Sequence, residues 1–501
     1  MILSADQIRS WDLYTIKMEP IASIDLMERA ALACLHWLQK NKDCSSTFHI
    51  FCGNGNNGGD GLALGRMLLH AGARVHMYGV KSKNGGSVDF QKNLQRWREY
   101  SKREICWLSE PGDLPDVTEG GWVIDALFGS GLNRPPEGFY ALLIDYLNEK
   151  ASSIISIDLP SGLMADGGKK EGSIIKAQVT LSFQCPKLTF FFPEYEPYTG
   201  EIHILDIGLQ KEYLTNLPVA YQLLELSVMK RIYQPRPLFS HKGTFGHALI
   251  VAGSYGKVGA ALLAAKACLH SGVGLVSIAA PKCAYSILQT GVPEAMVLTD
   301  KQKSKLTSLT LHYPLYQAMG MGPGMGTAKA TGKWLQTQLA HLKGPVVLDA
   351  DALNMIADEG NYKCIPQNCV LTPHPKEFDR LFGKCRDSQE RVLRALEKAR
   401  EHSCVIVLKG HHTFVATPEG DAWFNTTGNA GMATGGSGDV LTGILTGLLA
   451  QGYSPKDASL LGVWLHGKSG DLASKEWGEE ALSASLIIRF LGKAFLSITH
   501  T

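Results

Sequence analysis

The run Gly435-Gly436-Ser437-Gly438-Asp439-Val440-Leu441-Thr442-Gly443 sets four small residues ahead of a helical pattern that begins near Asp439. Free backbone N–H groups at such a helix start bind anions, and the helix dipole adds to the attraction. Asp439 stands where a carboxylate takes a proton from a hydroxyl attacking phosphorus. Phosphoryl transfer needs mainly positioning and charge stabilisation, so one base beside an anion hole is a sufficient core. An ordinary helix cap needs only one such residue, and the flanking Gly-Gly-Ser-Gly therefore favours a binding loop.

Other loops of the second half carry compatible chemistry. Lys409-Gly410-His411-His412-Thr413 follows an apolar run, and its backbone and Lys409 suit phosphate. Gly320-Met321-Gly322-Pro323-Gly324-Met325-Gly326 repeats the device. Asp349 and Asp351 put two carboxylates at a strand end, for a magnesium-linked role or for loop structure. Pro373 and Pro375 brace His374. Gly253-Ser254-Tyr255-Gly256-Lys257-Val258-Gly259 is not a P-loop, because no Ser or Thr follows the lysine, but it can still cover a ligand.

In the first half, Gly53, Gly55 and Gly58 fit G-x-G-x-x-G, a dinucleotide-loop pattern. Asn56, Asn57 and Asp60 make this loop unusually rich in side-chain oxygen, and the next strand, ending Tyr78-Gly79-Val80, lacks the acidic residue that would bind a ribose. Asp125 and Asp158 each end an apolar strand and are each followed by glycine. A carboxylate so placed is costly unless it is paired or binds an ion. The oxygens of Asn57, Asp125 and Ser161 suit an alkali or alkaline-earth cation. Gly129 to Pro135 can wrap phosphate through backbone N–H groups.

Short apolar runs ending in glycine loops alternate with helical patterns in both halves. This predicts an α/β protein of two doubly wound three-layer domains, with ligands beyond the carboxyl ends of the strands. Strands are expected at Thr47–Cys52, Arg74–Val80, Trp122–Ala126, Ile154–Asp158, Val179–Phe183 and Ile202–Asp206 in the first half. In the second they are expected at His247–Ala252, Leu275–Ala280, Tyr316–Met319, Val346–Asp349, Val370–Thr372 and Val405–Leu408, followed by a hairpin. The pattern breaks between Lys211 and Arg236, where Gln234-Pro235-Arg236-Pro237 reads as a linker. The domains are placed at residues 1–215 and 225–501.

The 501 residues are 45% hydrophobic and 19% charged, enough to bury more than one core. A net charge of +2 gives no expectation of a nucleic-acid or membrane partner. Eleven scattered cysteines, with no C-x-x-C pair, suit reduced thiols in a cytosolic protein. Met1 to Asp6 lacks a basic segment followed by an apolar core, so no signal peptide is expected.

Asn56-Asn57-Gly58-Gly59-Asp60, Asp125 to Gly131 and Asp158-Leu159-Pro160-Ser161-Gly162 resemble the YjeF N-terminal family, the epimerases of hydrated NADH and NADPH. The resemblance implies a Rossmann-like fold and a potassium ion near Asn57, Asp125 and Ser161. It implies substrate contacts from Asn56, Asn57, Gly58, Gly59 and Asp60, from Gly129, Ser130, Gly131, Leu132, Asn133, Arg134 and Pro135, and from Asp158. Epimerisation needs proton transfer or ring opening, and Asp158 is the candidate acid/base, with Lys187 a second one.

Gly322-Pro323-Gly324, Asp349-Ala350-Asp351, Thr372-Pro373-His374-Pro375, Lys409-Gly410 and Gly435 to Asp439 resemble the YjeF C-terminal family, the dehydratases of hydrated NAD(P)H. That resemblance implies a ribokinase-like fold. It implies nucleotide contacts at Lys409, Gly410, His411, His412, Thr413 and Gly438, and substrate contacts at Ala260, Gly324, His374 and Asp439, with Asp439 as catalytic base. It further implies Mg2+, with ADP as phosphoryl donor and ATP as the alternative, in a cytoplasmic homo-oligomer. The rival reading is a ribokinase-type small-molecule kinase fused to a nucleotide-binding domain.

Overall fold

In the computed structural model the chain divides into two units, Met1–Ala220 and Tyr221–Thr501. The structure describes residues 1–43, 45–82, 85–118, 120–168, 172–215 and 217–499. Residues 500 and 501, at the end of the expected second domain, lie outside it.

Seven strands form the sheet of the first unit: β1 (Thr47–Cys52), β2 (Arg74–Val80), β3 (Cys106–Leu108), β4 (Trp122–Ala126), β5 (Ile154–Ile157), β6 (Val179–Phe183) and β7 (Glu201–Leu205). Their order is β3-β2-β1-β4-β5-β6-β7, and every pairing is parallel. This is the doubly wound Rossmann order with one added strand, and its direction reverses between β1 and β4. Side chains alternate across β1. Phe48, Ile50 and Cys52 join the core under α2 (Ser23–Asn41) and α3 (Asn56–His70). Phe51 joins a second core with Leu143, Ile144 and Leu147 of helix Phe139–Lys150. The inner strands β4, β5 and β6 are buried on both faces, which explains their near-continuous apolar runs.

Backbone contact sets the mouth of this sheet. A Cβ on Gly53 would lie 2.0 Å from the Leu127 carbonyl oxygen, and one on Gly58 would lie 1.8 Å from that of Gly53. The loops after β1 and β4 thus meet main chain to main chain. The asparagine motif is itself helical. α3 begins at Asn56 with Gly55 as its N-cap, so Gly58 and Gly59 lie in the first turns of the helix and not in a loop.

The second unit holds β8 (Gln222–Leu223), β9 (His247–Val251), β10 (Leu275–Ala280), β11 (Met296–Thr299), β12 (Ala318–Met321), β13 (Val346–Leu348), β14 (Val370–Leu371), β15 (Val405–Leu408), β16 (Phe414–Ala416) and β17 (Ala422–Phe424). The order is β11-β10-β9-β12-β13-β14-β15-β16-β17-β8. Pairings are parallel from β11 to β15, and antiparallel from β15 through β16 to β17. Ala248 and Ile250 of β9 join a core with helices Val258–His270, Ser437–Ala450, Pro455–Trp477 and Ala484–Thr499. Leu249 and Val251 point the opposite way and are also buried, so this sheet too is covered on both faces.

The expected linker is not one. β8 pairs with β17, and helix Leu226–Ile232 packs on the second core, so backbone pairing claims the chain from Tyr221 onward. Expected strand Tyr316–Met319 lies two residues further on, at Ala318–Met321. The described cysteines are all unbridged. Among the described residues no helix is long and apolar enough to cross a membrane.

Helix Ser437–Ala450 crosses Val258–His270 at glycine. A Cβ on Gly443 would stand 2.1 Å from the Ala264 carbonyl oxygen. Gly443→Ala is expected to cost about 1–3 kcal/mol, because backbone must give way, and calorimetric unfolding of the variant measures it.

Candidate functional sites

The first site is a cavity of about 500 Å³ beyond β1 and β4. Asn56, Asn57, Asp60, Asp158, Lys187 and the run Gly129 to Arg134 line it. Asp158 has a φ of 65°, a left-handed conformation that costs a non-glycine residue energy and persists only where surroundings fix it. Two partners do so. Its Oδ2 accepts the Ser130 N–H at 2.8 Å, and its Oδ1 lies 2.9 Å from the Lys187 ammonium. Lys187 is fully buried, and its Nζ also donates to the Phe183 carbonyl at 2.9 Å. Burial alone would raise the Asp158 pKa. Lys187 and Ser130 more than offset this and hold the carboxyl below its usual range. Asp60 goes the other way: burial, then the charges of Asp158, Asp12 and Asp89, push it well up.

Asp125 lies beneath this wall, fully buried. Its oxygens accept from Ser161 Oγ at 2.5 Å, Ser156 Oγ at 2.7 Å, Ser161 N–H at 2.8 Å and Leu127 N–H at 3.2 Å. Burial raises its pKa against these hydrogen bonds. Asn57 differs, since both its Oδ1 and Nδ2 are buried without a hydrogen-bond partner among the described residues. An orphaned amide at a cavity wall is costly, and its oxygen can ligate a cation or accept a hydrogen bond from a ligand hydroxyl. Of the expected first-site residues, Gly58, Gly59 and Pro135 do not line the cavity, and Asp125 and Ser161 stand behind it.

The second site gathers at the carboxyl ends of β12 to β15 and the start of helix Ser437–Ala450. Gly436, with φ of 92°, is the N-cap. Lys409 Nζ lies 2.6 Å from Asp349 Oδ1 and 3.7 Å from Glu377 Oε2. Asp349 Oδ2 accepts the Thr442 hydroxyl at 2.7 Å. A Cβ on Gly438 would lie 3.5 Å from Lys409 Nζ, so the ammonium stands beside the helix start. Burial pushes Asp439 up to about 6, with Asp349 and Asp351 adding to the rise and Lys409 opposing it.

Lys409, Gly410, His411, Thr413 and Gly438 line a cavity of about 490 Å³ with Asn425, Asn429 and His466. His412 does not line it. It packs edge-on to His411, and burial and its neighbour push its pKa down to about 4. Ala260, Gly324, His374 and Asp439 lie outside that cavity. A Cβ on Gly324 would lie 3.0 Å from Ala260 Cβ, so these two adjoin. His374 caps helix Pro375–Phe382: its Nδ1 accepts the Lys376 and Glu377 N–H groups at 3.1 and 3.3 Å. The Asp349/Asp351 pair splits. Asp351 Oδ2 accepts the Gly326 N–H at 2.7 Å and lies 3.5 Å from Lys257 Nζ. Among the described residues no cluster of three His, Cys, Asp or Glu is arranged to hold a metal.

Sequence reasoning missed Asp12 and Arg9, which line the first cavity, and His466, which lines the second. His466 Nε2 lies 3.0 Å from the Ser437 carbonyl oxygen, and burial pushes its pKa down to about 4. Asp12 and Arg9 sit in no glycine-rich motif, and His466 lies in the interior of helix Pro455–Trp477.

Residues 23–189 match the family model described as YjeF-related protein N-terminus, and residues 248–491 match that described as NAD(P)H-hydrate dehydratase. The bifunctional NAD(P)H-hydrate repair enzyme of Moorella thermoacetica is 35% identical, over 94% of this chain and 92% of its own. The chain belongs to the bifunctional NAD(P)H-hydrate repair family. Members from Coxiella burnetii, 33% identical over 96% of both chains, and Escherichia coli, 31% identical over 96% of this chain and 91% of its own, span both units equally. A Bacillus subtilis structure, described as an ADP/ATP-dependent NAD(P)H-hydrate dehydratase co-crystallized with ATP/Mg2+, is 32% identical. It covers 55% of this chain and 98% of that one, with a TM-score of 0.48.

In this family member the Lys187–Asp158 pair is buried at the cavity wall, Lys187 completely. Lys187→Met strands a buried carboxylate and is expected to cost about 3–5 kcal/mol, whereas pairing it with Asp158→Asn recovers most of that loss. Urea unfolding of the two single variants and the double variant gives the coupling.

Proposed function

We propose that the first unit interconverts the R and S epimers of hydrated NADH and NADPH, and that the second dehydrates the S epimer with ADP as phosphoryl donor. The observation that carries this reading is the full-length kinship of a chain that holds both sites. In the second site the Gly435–Ser437 main chain and Lys409 meet the phosphates, and the 490 Å³ cavity receives the nucleoside. Asp439 takes the proton of the hydrate hydroxyl as its oxygen attacks the terminal phosphorus. Phosphate then departs with the electrons of the C–O bond and takes a proton from the adjacent carbon, whose C–H electrons restore the double bond. Phosphate leaves far more readily than hydroxide, which accounts for consuming a nucleotide in a dehydration. Ala260, Gly324 and His374 flank the hydrate. Asp349 and Asp351 are engaged with Lys409, Thr442, Lys257 and Gly326, so Mg2+ would be held by the nucleotide phosphates rather than by a protein cage, and would supply charge neutralisation there.

In the first site Asn56, Asn57, Asp60, Gly129 to Arg134 and Asp158 hold the hydrate, and Asp158 moves its proton. Potassium would be held at the orphaned oxygen of Asn57, with Asp125 and Ser161, whose oxygens bond to one another, standing behind it, and it would supply fixed positive charge for an anionic substrate. The protein acts in the cytoplasm as a homo-oligomer.

Incubation with S-hydrated NADH and ADP should restore the near-ultraviolet absorbance of the dihydronicotinamide, and a stable phosphate ester instead would establish the kinase reading. Asp439 works ionised, so kcat/KM for dehydration should fall as pH drops through about 6 and level off above it. Asp439→Asn should lose about 10²–10⁴-fold of that rate; retained turnover would mean another base. Asp158→Asn should leave dehydration of the S epimer intact while the R epimer accumulates, as chromatography of a mixed substrate would reveal.

A further inference from the structure

α1 (Ala5–Met18) turns Ala5, Ile8, Arg9 and Asp12 toward the first cavity, a spacing that lies on one helical face. The helix is pinned there. Trp11 Nε1 donates to the Gln210 carbonyl at 2.7 Å, and the buried Thr15 hydroxyl accepts the Gln210 N–H at 3.1 Å. Asp12 therefore shares a cavity with Asp158, Lys187 and the orphaned amide of Asn57. The charged groups that line this cavity are Arg9 from α1 itself, Asp60 from α3, Arg134 from the loop after β4, Asp158 from the end of β5 and Lys187 from the loop after β6.

The two carboxyls are treated oppositely. Lys187 is committed to Asp158 and to the Phe183 carbonyl, and it keeps Asp158 ionised. Burial, then the Asp158 charge, push Asp12 up to about 7, with Lys187 opposing. Titratable pairs whose environments drive them apart mark an acid and a base.

We propose that Asp12 is a catalytic residue of the first site, the general acid that works with Asp158 as general base. The proposal rests on the epimerase reading above. Asp158 takes the proton of the hydroxyl on the carbon bonded to the ring nitrogen. That carbon–nitrogen bond breaks, its electron pair goes to nitrogen, and nitrogen takes the proton of Asp12, leaving an aldehyde. Rotation about the neighbouring carbon–carbon bond presents the opposite face. Nitrogen then attacks the carbonyl carbon and returns its proton to Asp12, and Asp158 returns one to oxygen, so both carboxyls end as they began.

The test follows interconversion of the pure R hydrate of NADH in the full chain without ADP, so that the second site stays idle. In the wild type kcat/KM should decline as pH rises through about 7, where Asp12 loses its proton. Asp12→Asn should lower kcat about 10²–10⁴-fold and abolish that decline, with KM moving far less, while Asp12→Glu restores part of the rate. A wild-type profile flat from about pH 6 to 8, or an Asp12→Asn kcat within about threefold of wild type, overturns the assignment. The wild-type profile decides the matter even if the variant fails to fold. A wild type no faster than spontaneous interconversion removes the epimerase reading, and the role of Asp12 with it.

Discussion

A lysine ammonium buried against an aspartate governs the layout of each unit. Removing either charge from water costs several kcal/mol, and only close pairing with further hydrogen bonds compensates. Lys187 and Asp158 meet at 2.9 Å, and Lys409 and Asp349 at 2.6 Å. Neither lysine is then a loose surface cation. In the first unit the pair ties the loop after β6 to the end of β5, and the Ser130 N–H ties both to the loop after β4. The left-handed backbone of Asp158 is the strain this arrangement sustains. In the second unit Asp349 also takes the Thr442 hydroxyl, so a single carboxylate joins β13, β15 and helix Ser437–Ala450.

Charge pairing at strand ends needs backbone segments to come close, and glycine supplies that closeness. Gly53 and Gly58 let the loops after β1 and β4 touch through main-chain atoms. Gly322 does the same for β12 and β13, where a Cβ would lie 1.8 Å from the Asp349 carbonyl oxygen. Gly443 and Gly447 seat helix Ser437–Ala450 hard against Val258–His270, with Cβ positions 2.1 Å from the Ala264 carbonyl and 1.9 Å from Ser271 Oγ. The N-terminal end of that helix is therefore carried on a rigid shaft, which is what a site that works by positioning requires.

The same features explain what was legible in the chain. β1, β2, β4, β6, β10 and β15 lie where their apolar runs place them, because strands buried on both faces write themselves continuously into sequence. β3 and β8, with three and two residues, and the edge strand β11 are too short or too exposed to leave such a trace. Motif loops were legible because glycines cluster wherever backbone must approach backbone. Partnerships were not. Lys409 suggests a phosphate ligand from its loop alone, yet its first partner, Asp349, is 60 residues away. His374 looks like a presented side chain, but the N–H groups of the following turn claim its Nδ1. Asp12 lies on an amphipathic helix with no glycine near it, and only the folded cavity gives it chemistry.

Both sites share a division of labour among carboxyl groups. One aspartate is neutralised by lysine and fixed in place: Asp158 in the first unit, Asp349 in the second. Another stands within its field and is pushed toward neutrality, Asp12 to about 7 and Asp439 to about 6. Burial is the larger cause in both, and the paired aspartate adds to it while the lysine opposes. A carboxyl so poised exchanges a proton near neutral pH with little cost in either direction, which an ordinary surface aspartate cannot do. The buried ion pair thus has an electrostatic consequence beyond anchoring the strand ends. Burial makes the next carboxyl reluctant to ionise, and the aspartate of the pair adds to that reluctance against the opposing charge of its lysine.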